Sequence, residues 1–428
     1  MKPFAQFFAN ITKTVSASGV QFALTLCTTP IMTRLFEPAA YAMFGIVNTA
    51  AVVMVGIGLL SLPNAYCAEK DAATRLQMAR AMLVLLAGLI LLATLGAALL
   101  GSTGNAAIGV SISSTTLVLL PVLVCTYGLR QIFMNMAIQR ANFTRLSLAQ
   151  IVEPTCSRGG SIVLGAGFGG HAAFILFSVA IGHLSAISIL KKTRPAQLLA
   201  NLPLAHYLAD TRLVLRRFSD FVFYNTVAQQ AQPAVMLAMQ AGIAAFFSAH
   251  LAGEYVLATS ILTLPATMVA LATAPVVYHH FIDTETQAPT RLSRHYAKIT
   301  ALYLLAGTCL LAPLYFFGGP LFTFAFGKMW QHAGMIAGTL SLAYIGVFAV
   351  TGVQSILMVT RRLKLQFVLE FTTNLMLVIG AFFCFKNLAF DEAIFYLSLI
   401  WLFRSTVILC ACFYAATAHP RRALLETA

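Results

Sequence analysis

The stretch AMLVLLAGLILLATLGAALLG, Ala81 to Gly101, contains no charged residue and no polar side chain larger than threonine. Its length matches the roughly 20 residues that a helix needs to cross about 30 Å of hydrocarbon. Polar and apolar residues do not alternate along it, so it reads as a helix and not as a barrel strand, the two forms that satisfy every backbone group in lipid. Working outward, similar runs recur at 14–36, 41–66, 79–101, 115–137, 146–168 and 171–190, and again at 217–247, 254–281, 298–318, 331–360, 363–386 and 392–415. Lys13 interrupts the short apolar stretch at the start of the chain, which reads as a retained helix and not as a cleaved signal.

Composition and charge placement agree. The apolar set AVILMFWYC makes up 59% of the 428 residues and DEKR only 9%, against about 25% charged in an average soluble protein. With a mean hydropathy of +0.84, the chain needs lipid as the solvent for most of its exterior. The net charge of +14 would suit nucleic acid, but its distribution points elsewhere. With the N-terminus inside, 22 of the 27 basic residues fall on one side of the membrane; Arg34, Lys328 and Lys386 fall on the other, and Arg158 and Arg404 lie within spans. That asymmetry is the positive-inside rule. It places both termini in the cytoplasm and leaves no nucleic-acid partner.

The longest charged connection lies between spans six and seven. It starts with KKTRP, ends with LRR and holds an apolar stretch suited to the membrane surface. The expected organisation is a six-helix lobe over 1–190, a cytoplasmic linker over 191–216 and a second six-helix lobe over 217–428. RLSLAQIVEPT (Arg145 to Thr155) matches RLKLQFVLEFT (Arg362 to Thr372) at five of eleven positions, both at the start of the fifth span of a half. Six spans per unit make the two halves parallel repeats. The fold class that follows is all-α integral membrane, with about twelve transmembrane helices in two lobes around a central cavity.

Four ionisable residues break the apolar pattern: Glu153, Arg158, Glu370 and Arg404. Left against lipid, each would cost about 2.5–3.5 kcal/mol, so they must face protein, water or a ligand. Arg158 and Arg404 each fall about 18–20 Å along their spans at 1.5 Å per residue, near the midplane, one per half. Five residues separate Glu153 from Arg158, about 140° around a helix, so the two cannot pair on one face. Glu153 aligns with Gln150 and Ser157, Glu370 with Asn374, and span seven carries a stripe of Asn225, Gln229 and Gln232. These stripes read as cavity lining and as candidates for ion coupling. A guanidinium grips phosphate in a bidentate fork, so Arg158 and Arg404 suit a phosphate-bearing substrate. The competing reading is structural, with each Glu paired to an Arg on another helix. Arg130, at the inner end of span four, reads as snorkelling to the surface, and His183 as a packed neutral imidazole. No P-loop, metal-ligand pair or catalytic constellation is present, so neither enzyme, cofactor nor metal is expected.

Several segments resemble polysaccharide flippases, the Wzx-type O-antigen and capsule translocases of the multidrug/oligosaccharidyl-lipid/polysaccharide superfamily. FTFAFGKMWQHAGMIAGTLSLAY (Phe322 to Tyr344) is similar to an FGxxWxxAG segment through Phe326, Gly327, Trp330, Ala333 and Gly334. FSDFVFYNTVAQQAQ (Phe218 to Gln232) resembles the start of span seven, and AGEYVLATSILTLPATMV carries Gly253, Tyr255 and Pro265 in the family's pattern. TRLFEPAAYAMFGI (Thr33 to Ile46) resembles the first outer loop, although Ala42 stands where relatives often have glycine. The resemblance implies a bacterial inner-membrane transporter working by alternating access. Its substrate would be an oligosaccharide on polyprenyl pyrophosphate, its coupling ion H+ or Na+, and its partner a polysaccharide polymerase. Two alternatives stay open. One is a drug/cation antiporter of the same superfamily, which would favour acidic cavity residues. The other is a glycan polymerase or ligase, which would place a large polar loop outside.

Overall fold

The computed structural model describes residues 2–102, 114–193 and 203–426, and among them every regular element is a helix. In chain order these are α1 (Lys2–Leu35), α2 (Pro38–Gly58), α3 (Leu62–Ala68), α4 (Ala72–Ser102), α5 (Ser114–Gln139), α6 (Phe143–Phe168), α7 (Ala172–Leu190), α8 (Leu204–Arg217), α9 (Ser219–Phe246), α10 (Ala249–Pro265), α11 (Leu271–Gln287), α12 (Leu292–Phe326), α13 (Gln331–Val353), α14 (Ile356–Val359), α15 (Leu363–Asn387) and α16 (Phe390–Glu426). Part of the expected linker, 194–202, lies outside the described residues; Lys191–Thr193 form a 3-10 turn and 204–216 belong to α8.

Nine helical runs among the described residues are long and apolar enough to cross a membrane. The three expected spans outside that set are α1, α6 and α9. α6 carries Glu153 and Arg158, α9 carries Asn225, Gln229 and Gln232, and α1 carries Thr25, Thr28, Thr29 and Thr33. Hydropathy thus fades on the helices that bring polar groups inside. On the others the surface is apolar: Leu92 is 64% exposed and Phe324 87%. Large apolar residues in such numbers on a surface are a liability in water and are solvated by lipid. The chain is a multi-pass helical membrane protein.

Two expected spans are not simple helices. The second breaks at 59–61, where Leu60 and Ser61 take left-handed φ of 54° and 51°, and α3 restarts with Pro63 in its first turn, where its missing amide hydrogen costs nothing. The eighth continues from α10 into α11 through a π-turn over Ala266–Ala270. A proline has no amide hydrogen to continue the α-helical ladder, and this widened turn follows directly after Pro265.

The chain divides into two compact units, Met1–Ala245 and Phe246–Ala428. In the first, α4 packs on α5 and α8, α5 on α7, α6 on α7 and α1 on α6. Its core includes Val55, Leu59, Leu62, Met78, Met82, Leu86, Leu123, Ile132 and Met136. In the second, α13 packs against α10, α12 and α16, which its glycine- and alanine-rich sequence allows by keeping the helix thin. At the α12–α13 crossing, a Cβ at Gly334 would meet the Gly318 carbonyl oxygen at 2.2 Å. Gly327 closes α12 with φ 104°, and Trp330 is fully buried. The FGxxWxxAG segment is therefore a tight turn, a buried anchor and a close helix contact.

One local geometry recurs. Ala141 and Arg361 both have left-handed φ, 52° and 55°, and both turns close with the next amide donating five residues back, Asn142 to Ala137 and Arg362 to Leu357. Each turn ends a helix in Schellman fashion and launches α6 or α15. The turns lie 220 positions apart, whereas the residue match between Arg145 and Arg362 spans 217. Counted from these turns, the two matched segments are offset by three residues, nearly one helical turn.

Candidate functional site

In the first unit the charges sort into two groups on α6. Glu153 Oε2 accepts from Arg130 Nε on α5 at 2.5 Å. Its other oxygen lies 3.8 Å from His183 Nε2 on α7, and His183 Nδ1 lies 3.2 Å from the Thr126 hydroxyl. The Tyr127 ring flanks both Arg130 and His183. Arg130 does not snorkel, because Glu153 offers it a carboxylate partner inside the protein. His183 is buried, and no spacing along the chain signals that it joins the Glu153 network. Gln150 and Ser157 are partly buried near Glu153 on the same helix, and Gln150 Oε1 has no hydrogen-bond partner among the described residues.

Arg158 stands apart from this network, as the 140° separation requires. Its Nη1 donates to the hydroxyls of Thr28 and Thr29 on α1, both at 3.2 Å. Among the described residues no carboxylate lies within ion-pair distance of it. Two neutral oxygens hold the guanidinium in place, and among the described residues its charge meets no carboxylate.

In the second unit the arrangement is reversed. Arg404 on α16 is buried and donates through Nη2 to Glu370 Oε2 on α15 at 2.8 Å. Glu370 also accepts from Gln354 at 2.6 Å and from Asn374 at 3.2 Å. The structure brings together Glu370, Asn374 and Arg404, and adds Gln354, which lies in the turn after α13 and had no periodic signal to reveal it. The two matched glutamates hold guanidiniums from non-equivalent helices: the partner of Glu153 precedes it in the chain, and that of Glu370 follows.

The polar stripe on α9 forms a short hydrogen-bond ladder. Asn64 on α3 donates to Gln229 at 3.0 Å, and Gln229 donates to Asn225 at 3.2 Å. One turn away, the Thr226 hydroxyl donates to Ser61 Oγ at 3.2 Å. Beside the ladder lies a cavity of about 60 Å³ lined by Gly56, Asn64, Tyr127, Gln131, Gln229 and Gln230. Gln232 is partly buried on the same helix. The side chain of Asp220, expected near Arg216 and Arg217, lies outside the described residues. Among the described residues no cluster of three His, Cys, Asp or Glu side chains could hold a metal ion.

No protein-family model matches the chain, and no curated protein sequence does. Solved structures do. The lipid II flippase MurJ in an inward closed conformation matches with a TM-score of 0.71 at 13% identity, over 94% of this chain and 89% of its own. A multidrug resistance MATE family transporter of the MOP superfamily, in an inward-facing conformation, matches with a TM-score of 0.62 at 12% identity over 95% and 96%. A MOP superfamily transporter from Pyrococcus furiosus, described as having a binding pocket of reverse polarity, matches with a TM-score of 0.55 at 12% identity over 96% of each chain. At these identities the likeness is one of architecture, and it extends over nearly the full length. The chain has the fold of these MOP superfamily transporters.

Proposed function

We propose that this protein is a flippase that carries an oligosaccharide linked to polyprenyl pyrophosphate from the cytoplasmic to the outer leaflet, by alternating access, for surface polysaccharide synthesis. It works in a bacterial inner membrane with both termini in the cytoplasm. The observation that carries this reading is Arg158: a guanidinium deep in a span, positioned by Thr28 and Thr29, with no carboxylate to neutralise it among the described residues. An uncompensated charge in a lipid-immersed protein is expensive and marks a substrate or ion pathway. A pyrophosphate supplies the opposite charge and an oxygen pair that matches the guanidinium fork. Arg404 enters in second place, because Glu370 already meets its charge. Gln150, Ser157, Asn225, Gln229 and Gln232 supply uncharged donors and acceptors suited to sugar hydroxyls. A cation antiporter needs carboxylates free to bind its substrate, and Glu153 and Glu370 each hold an arginine instead.

Native mass spectrometry of the purified protein with a short-chain polyprenyl pyrophosphate tests the reading. Binding is expected in the wild type and reduced at least tenfold in Arg158→Gln, with Arg158→Lys intermediate because an ammonium lacks the planar fork. Equal binding in all three would contradict it.

A further inference from the structure

Glu254 on α10 is a third carboxylate set deep in the protein, 2% exposed. What holds it differs from what holds the other two. Glu153 and Glu370 each grip a guanidinium, which keeps its charge at any physiological pH. Among the described residues Glu254 meets only imidazoles. His332 Nδ1, in the first turn of α13, lies 2.6 Å from Glu254 Oε2, and His250 Nδ1, one turn earlier on α10, lies 3.9 Å away. The other ring nitrogen of His332, Nε2, lies 3.1 Å from Asp391 Oδ1 in the first turn of α16. Asp391 is 83% exposed, so two hydrogen bonds lead from solvent to the buried carboxylate. The Phe390 ring packs beside His332 with its centroid 5.7 Å away.

The chemistry of the imidazole makes this chain of groups a proton site. A neutral imidazole donates through one nitrogen and accepts through the other, while ionised carboxylates only accept. Between two carboxylates, both contacts of His332 are satisfied only if the ring is doubly protonated or if one carboxyl carries the proton. Either way the triad binds one proton beyond a neutral ring between two anions. Removing it breaks one of the two links, and those links join α10, α13 and α16. The remaining charged groups at this end are few. α12 carries none after Lys298, Lys386 ends α15, and Lys328 and Glu392 are exposed. The helix N-terminus disfavours a cationic ring at His332, and two carboxylates at hydrogen-bond distance oppose that.

We propose that Glu254, His332 and Asp391 form a proton-binding site at the end of the second unit opposite its basic residues Arg361, Arg362 and Lys364, loaded through Asp391, and that the proton bound there is the coupling ion. The proposal deepens the transport reading and rests on it only for what the proton does. Binding is tested without substrate, using Trp401→Phe to leave Trp330, two residues from His332 and buried, as the sole tryptophan. Its fluorescence should titrate, because an imidazolium quenches a nearby indole more than the neutral ring does. His332→Gln should abolish the transition, and Glu254→Gln should move it about one unit or more to lower pH. Asp391→Asn, at an exposed position that leaves folding undisturbed, should move it less in the same direction. A transition that survives His332→Gln, or stays in place in both carboxylate variants, would overturn the site. In proteoliposomes carrying a fluorescent polyprenyl-pyrophosphate glycan, an imposed pH gradient should speed translocation severalfold, and His332→Gln should lose that dependence. Translocation indifferent to pH beside an intact titration would overturn the coupling alone; no translocation under any gradient would overturn the flippase reading and leave the proton site standing.

Discussion

Glu370 accepts hydrogen bonds from Arg404, Gln354 and Asn374, whereas Arg158 rests on two hydroxyls. These environments predict opposite consequences of losing charge. Glu370→Gln leaves the buried Arg404 without its anion and should cost about 3 kcal/mol, the size seen when one partner of a buried pair is removed. Arg158→Gln strands no carboxylate and should cost about 1 kcal/mol or less, although it removes the proposed substrate contact. Denaturation of the purified variants, monitored by helicity, measures both; an Arg158 variant as unstable as the Glu370 variant would make Arg158 a structural residue. The four intramembrane charges were legible in the sequence because each interrupts an apolar run. Their partners were not, since Arg130, His183 and Gln354 reach Glu153 and Glu370 across helices and no spacing along the chain encodes that. Glu254 was not legible as a site because it stands at the edge of its expected span, where a carboxylate breaks no apolar run, and only its burial distinguishes it.

At the scale of helices, the resemblance segments acquire physical meaning. Gly327, Trp330 and Gly334 serve a turn, an anchor and a backbone contact. Gly334→Ala should therefore force α12 and α13 apart and destabilise by about 1–3 kcal/mol, as overpacking does, measured by the same denaturation. Gly88, whose added Cβ would meet nothing within 4 Å, is the control and should tolerate alanine. Helix order was readable from hydropathy, but α1 begins at Lys2 and not at 14, and α16 runs to Glu426 and not to 415, because a helix can continue past its apolar stretch. The break at 59–61 and the π-turn at 266–270 were not, because they are departures of backbone geometry, which average hydropathy does not register. The turns at Ala141 and Arg361 share a geometry that their sequences do not announce, since neither position holds the glycine that such a turn favours.

For the whole molecule, the charge distribution fixes the expected orientation. In a background without native cysteines, Lys328→Cys should react with a membrane-impermeant maleimide added to intact cells, and Lys70→Cys and Lys364→Cys should react only after lysis. The reverse pattern would invert the direction of transport. The fold is that of transporters, one of them a lipid II flippase, and the proposed function adds an anionic headgroup held by Arg158, which meets no carboxylate among the described residues. The most direct measurement is translocation itself. Purified protein is reconstituted into liposomes with a fluorescent polyprenyl-pyrophosphate oligosaccharide, and the fraction of label reaching the opposite leaflet is followed by quenching with dithionite. The wild type should translocate the glycolipid, and Arg158→Gln should be at least tenfold slower while remaining folded. Equal rates for the variant and the wild type, or no translocation beyond protein-free liposomes, would contradict the account.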